Sequence, residues 1–155
     1  MDNSTPMKPA LIIVTIIACL GLSGLFAVDR YQRNIAVEQS STLAMSVATE
    51  VLIDWNPQSV RQHASDTLLA SESAEATQQR YTPMSRRLGE LREIYDIQYE
   101  VDVSAWWQAD EPARAIYRMR ARFAAETATV RIAMVRRQGQ WLITDFDIQP
   151  PAIAS

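Results

Sequence analysis

The stretches AIYRMRARF (115–123), TVRIAMVRR (129–137) and WLITDFDI (141–148) decide how this chain folds. In the first, Ala115, Tyr117, Met119, Ala121 and Phe123 alternate with Ile116, Arg118, Arg120 and Arg122. A period of two sends the sets to opposite faces of a strand, apolar inward and arginine outward. In the second stretch Val130, Ile132 and Met134 take the inward positions, with Arg131 and Arg137 outside. Gln138-Gly139-Gln140 reads as a hairpin loop, and Trp141 to Ile148 as a last strand stopped by Pro150-Pro151. Trp141 and Ile143 keep one phase of that strand, whereas Phe146 and Ile148 argue for a shift between them, so the side on which Asp145 falls stays open.

Upstream, Asp110-Glu111-Pro112 is a turn, and Ile97, Tyr99, Val101 and Val103 alternate with Gln98, Glu100 and Asp102 as a half-buried first strand. Before Gly89 the period changes to 3.6. A helix is expected over about 72–88, with a restart open at Thr82-Pro83 and Gly89 just past its end. Asn56-Pro57 opens another, carrying Val60, Ala64, Leu68 and Leu69 on one side and ending near Ser71. Between Asp29 and Trp55 there is no Gly or Pro; Ile35, Leu43, Val47, Val51 and Leu52 give an amphipathic helix whose weak point is Ser40-Ser41-Thr42. The expected fold class is α+β, three helices packed on a curved four-stranded antiparallel sheet.

Ahead of this domain, ALIIVTIIACLGLSGLFAV (10–28) carries no charge and is bounded by Lys8-Pro9 and Asp29-Arg30. As a helix it is about 28 Å long, close to the ~30 Å hydrocarbon core of a bilayer, and is read as a transmembrane helix. Two alternatives stay open: cleavage near Gly21-Leu22-Ser23, and acylation at Cys19 of a lipobox-like Ile16-Ile17-Ala18-Cys19. The expected layout is a tail over 1–9, a transmembrane helix over 10–28, a helical connector over 29–42, a soluble domain over 43–150 and a tail over 151–155. One nearly unbroken helix is expected from about Pro9 to Trp55. A short inner tail favours a single-pass protein of the inner membrane with its C-terminal domain in the periplasm.

The chain has 155 residues and a net charge of −3, which does not favour nucleic acid as a partner. Cys19 is its only cysteine and His63 its only histidine, so no metal set can be assembled, and four glycines build no phosphate loop. No cofactor is expected. Lys8 is the only lysine; every other basic residue is an arginine.

The helix-helix-helix-strand order, Ala115-x-Tyr117 before Phe123, Thr129-Val-Arg-Ile-Ala-Met-Val135 and Gly139-x-Trp141-x-Ile143-x-x-Phe146 resemble the nuclear-transport-factor-2-like superfamily, of cystatin-like fold. Leu88-Gly89-x-Leu91 is similar to small bacterial members of that group. The resemblance implies a cone-shaped space between sheet and helices, where the superfamily's enzymes place Asp, His or Tyr; the candidates here are His63, Asp66, Tyr81, Tyr117, Asp145 and Asp147. His63 and Asp66 could share a helical face as a base and its orienting acid. Lone histidines among polar neighbours are, however, more often solvated.

Tyr117, Phe123, Trp141 and Asp145 are the candidate pocket residues, although aromatics at such positions usually pack a core. Trp106-Trp107 cannot both face inward, so one can meet a partner or lipid headgroups unless a loop covers it. Arg118, Arg120, Arg122 and Arg131 would either pair with acids of the neighbouring strands or dock an acidic partner. The expectation is a non-enzymatic, membrane-anchored accessory or assembly subunit whose partners are the bilayer and a protein complex, with homo-oligomerisation open. The bitopic inner-membrane subunit of type IV secretion systems has a similar topology. A ligand-binding module or small isomerase or hydratase working in the cone is the alternative.

Overall fold

The computed structural model describes residues 9–103 and 111–151, with side chains from residue 27 onward. It is an α+β fold: α1 (Pro9–Asp54), α2 (Gln58–Gln62), α3 (Asp66–Ser71), α4 (Ala74–Leu88), then β1 (Leu91–Asp102), β2 (Arg114–Phe123), β3 (Thr127–Arg137) and β4 (Gln140–Gln149). The strands form one antiparallel meander in the order β1-β2-β3-β4. The unbroken first helix is as expected, 46 residues long. At 1.5 Å per residue that is about 69 Å. Among the residues whose side chains are described, from 27 onward, no helix is long and apolar enough to cross a membrane.

The face of α1 that meets the sheet is made of small residues. Ala36, Ser40, Ala44 and Ala48, all fully buried, recur every four residues, with Val47, Val51 and Leu52 beside them. That spacing lays one stripe along a helix, and side chains this short let the helix axis approach the strands closely. The core therefore begins at Ala36, within the stretch assigned to a connector. Ser40-Ser41-Thr42 does not interrupt the helix, because each hydroxyl donates to a carbonyl of the preceding turn: Ser40 to Ala36 at 2.7 Å, Ser41 to Glu38 at 3.0 Å and Thr42 to Glu38 at 2.9 Å.

The helix expected over 57–71 is two short ones. Between them His63–Ser65 leaves the helical path and lies beside β4: Ser65 N–H donates to Ile143 O at 2.8 Å, and Ile143 N–H to His63 O at 2.7 Å. These bonds make the isolated parallel bridge Ala64↔Ile143. The edge strand thus gains two backbone bonds that a continuous helix would forfeit, and Ser65 restarts the chain by capping the Leu68 N–H of α3. Farther on, α4 continues through Pro83, so Thr82-Pro83 is no restart, and Gly89 ends the helix at φ 78°.

Strands β2, β3 and β4 bury the residues expected to face inward. The phase change in β4 is a bulge: Ala133 pairs with Asp145 and Met134 with Ile143, which leaves Thr144 as the extra residue. Strand β1 departs from expectation. It starts at Leu91, its register slips between Tyr95 and Gln98, Asp96 sits at φ 50°, and Ile97 and Tyr99 are 44% and 59% exposed. As an edge strand β1 has a neighbour on one side only, and α1, although it meets β1, does not cover these two side chains.

Ala44→Leu tests the close approach of helix and sheet. Overpacking there is expected to cost ~1–3 kcal/mol in denaturant unfolding, whereas Ser46→Leu on the exposed side should change stability by less than ~0.5 kcal/mol.

Candidate functional site

The space between helices and sheet is filled by side chains. Tyr117 and Phe123, drawn inward by alternation, are 1% and 3% exposed, and Trp141 is also buried. The rings of Trp55 and Phe123 lie 5.5 Å apart, and Trp55 meets Tyr81 edge-on at 6.3 Å. The Tyr117 hydroxyl lies 2.8 Å from that of Ser40 and donates to Val37 O at 3.3 Å, so it is engaged with α1. Burial raises the Tyr117 phenol, partly offset by the Ser40 hydrogen bond. Tyr81 is pushed up to about 12, chiefly by burial, with Arg80 pulling the other way. Trp141 Nε1 is buried without an acceptor among the described residues. A cleft lined by Val60, Leu68, Tyr81 and Phe146 has about 20 Å³ of free volume, room for a water molecule or so.

Asp145 does not join Tyr117, Phe123 and Trp141. The bulge at Thr144 turns it to the outer face, where it pairs with Arg131. His63 and Asp66 share no helical face, because His63 ends α2 and Asp66 begins α3. Glu50 faces His63 instead, its carboxyl held below the usual range by hydrogen bonds from Ser59 and Ser46, with a smaller contribution from His63. Among the described residues no group of acids, histidines or cysteines could hold a metal. Trp106 and Trp107 lie outside the described residues.

The outer face of the sheet carries the arginines. Strand pairing sets Arg114, Arg118, Arg120 and Arg122 in a row along β2, beside Arg131 on β3. On β1 the opposing residues are Asp102, Gln98, Tyr95 and Glu93. On β4, Asp147 lies opposite Arg131. Two arginines are paired internally: Arg122 with Glu93 at 3.1 Å, and Arg131 with Asp145. The Arg120 and Arg122 guanidiniums sit 5.6 and 5.0 Å from the centre of the Tyr95 ring. Arg118 faces Gln98 on one side and Arg131 on the other, with no ion pair among the described residues. Glu93, Glu100, Asp102, Asp145 and Asp147 on the outer strands offset five of the six arginines, Arg137 at the end of β3 being the sixth. The face therefore has a surplus of one positive charge, arranged as a positive stripe on β2 between acidic margins.

Sequence reasoning missed a groove between α1 and β1, lined by Arg33, Asn34, Val37, Glu38, Tyr99, Glu100 and Val101. There Tyr99 stacks on Tyr117 at 5.8 Å and 27°. The alternation of β1 placed Tyr99 inward correctly, but nothing in it reveals that α1 stops short of covering the ring.

No family model, no curated protein and no solved structure matches the chain.

The raised Tyr81 sets an alkaline limit. Its neutral form is favoured in the folded state, so this contribution is fully present below pH ~10 and is lost as pH rises from there towards 12. Tyr81→Phe should flatten the fall in stability between pH 10 and 12, measured by urea unfolding at each pH.

Proposed function

We propose that this chain is a non-enzymatic accessory or assembly subunit, anchored in a membrane by residues 10–28 and offering the outer face of its sheet to a protein partner. The observation that carries this reading is the packed interior: Tyr117, Phe123 and Trp141, the residues that would line a ligand cone, are buried in the hydrophobic core between helices and sheet. Ligand sites need a cavity of several hundred Å³ with a few convergent polar groups. The outer face offers what the interior lacks, since Arg118 and Arg120 have no carboxylate partner among the described residues and stand at its centre. An acidic segment of a partner would fit along β2, where the arginine forks can take carboxylates two oxygens at a time.

The anchor rests on the uncharged run 10–28, which α1 joins to the domain in a single helix. The resemblance to the nuclear-transport-factor-2-like superfamily is part of this proposal. It is supported by the long helix lying against a four-stranded antiparallel meander, an arrangement used by enzymes and assembly proteins alike.

Two measurements test the reading. Arg118→Glu with Arg120→Glu should abolish copurification of partner proteins from gently solubilised membranes while moving the midpoint of unfolding by only a few degrees; unchanged copurification rejects the docking face. For topology, a membrane-impermeant thiol reagent should label a cysteine introduced at Gln140 in intact cells, in a Cys19→Ala background. Labelling only after lysis would place the domain on the other side.

A further inference from the structure

The fold fixes which end of the sheet points back toward the apolar run. Ser40 meets Tyr117, and Trp55 meets Phe123. The fifteen residues of α1 and its end between those contacts span about 22 Å, and the six residues of β2 between them span about 20 Å. Helix and strand therefore run side by side in the same direction. Strand β3 is antiparallel to β2, so it runs back along α1 and delivers the β3–β4 hairpin to the end from which α1 arrives.

Heights along this common axis can be compared. From Ser40 back to Val28, the last residue of the apolar run, is twelve residues, about 18 Å of helix. Ile132, the β3 partner of Tyr117, lies five residues before Arg137, about 17 Å of strand. Arg137 and the tip beyond it thus come level with Val28. The α1 residues 27–34 at this height are exposed all round, with Tyr31 68% exposed, so the domain leaves a bare layer here. Asp29 to Asn34 span about 7.5 Å, within one headgroup layer of ~5–8 Å. Arg30 and Arg33 stand in the same layer. Arg136 Nε donates to Gly139 O at 3.4 Å, and the Arg137 side chain has no ion pair or hydrogen bond among the described residues.

We propose that the hairpin tip Arg136-Arg137-Gln138-Gly139 rests in the phospholipid headgroup layer of the membrane that holds α1, with Arg137 on lipid phosphates. This rests on the anchoring proposed above. Basic side chains at a bilayer surface are drawn to anionic lipid, and Tyr31 is of the type enriched at that depth. Asp29, Asp102 and Glu111, at the same end, limit the attraction without reversing it, because the five arginines Arg30, Arg33, Arg114, Arg136 and Arg137 outnumber these three acids. Contact at the tip gives the domain a second point of support beside the helix, which fixes its tilt and its rotation about α1.

The test uses the full chain with Cys19→Ala, reconstituted in vesicles of phosphatidylcholine with phosphatidylglycerol, and a fluorophore at Gln138→Cys or, as the far-end control, Ala125→Cys. Lipids carrying a headgroup spin label should quench most of the emission from position 138 and leave position 125 unchanged. Adding Arg136→Gln and Arg137→Gln should restore most of the emission at 138. If the chain floats with the vesicles but position 138 is unquenched, the headgroup contact is overturned while the anchor stands. If the chain does not float, anchor and contact fail together. Quenching that survives the loss of both arginines would overturn the phosphate contact.

Discussion

Everything else in this fold depends on the fit of α1 against the sheet. Its contact stripe has alanine or serine at 36, 40, 44 and 48, so the backbone of the helix lies close to the aromatic and branched side chains of β2 and β3. The only polar group in that stripe, the Ser40 hydroxyl, is satisfied twice, by the helix carbonyl of Ala36 and by Tyr117. A buried hydroxyl costs free energy unless it is so paired, and the pairing defines where along the helix the sheet must sit. A slide of one turn would strand both hydroxyls, which is why a helix longer than the sheet still docks in one place.

That placement divides the molecule's chemistry. The inner face spends its aromatics on packing, and four of them, Trp55, Tyr81, Tyr117 and Phe123, contact one another or α1. The outer face is left to charge. Because β2 and β3 are central, their arginines have neighbours on both sides, and the edge strands supply carboxylates to Arg122 and Arg131 only. Exposed pairs of this kind contribute little to stability, so the arrangement matters more for what can approach the face than for holding it together.

Much of this was legible in the sequence. The alternation from Ala115 to Phe123 specified both faces of β2, and the two phases of Trp141–Ile143 and Phe146–Ile148 announced the bulge, since a period of two cannot otherwise bury all four. The unbroken course of the first helix from Asp29 onward followed from the absence of Gly and Pro between Asp29 and Trp55. The split at His63–Ser65 did not, because it depends on an edge hydrogen bond to Ile143, far away in sequence. The position of Asp145 was open because it depends on which residue of β4 bulges, and the exposure of Tyr99 was unseen because it depends on how far α1 covers β1. The alanine stripe was passed over because periodicity was sought in large apolar residues, whereas the helix face nearest the sheet uses small ones.

The slip in β1 at Asp96 bears on how copies of the chain behave when crowded. A free edge of regular strand is a template on which a second chain can extend the sheet without limit. Here the edge of β4 is occupied at Ile143 by the 63–65 segment, and β1 is broken midway by a residue at positive φ. An incoming strand would find two short, mutually twisted pieces in place of one straight register, with Asp96 and Glu100 among their side chains. The fold thus blunts uncontrolled zippering at both margins, and leaves association to faces rather than to edges.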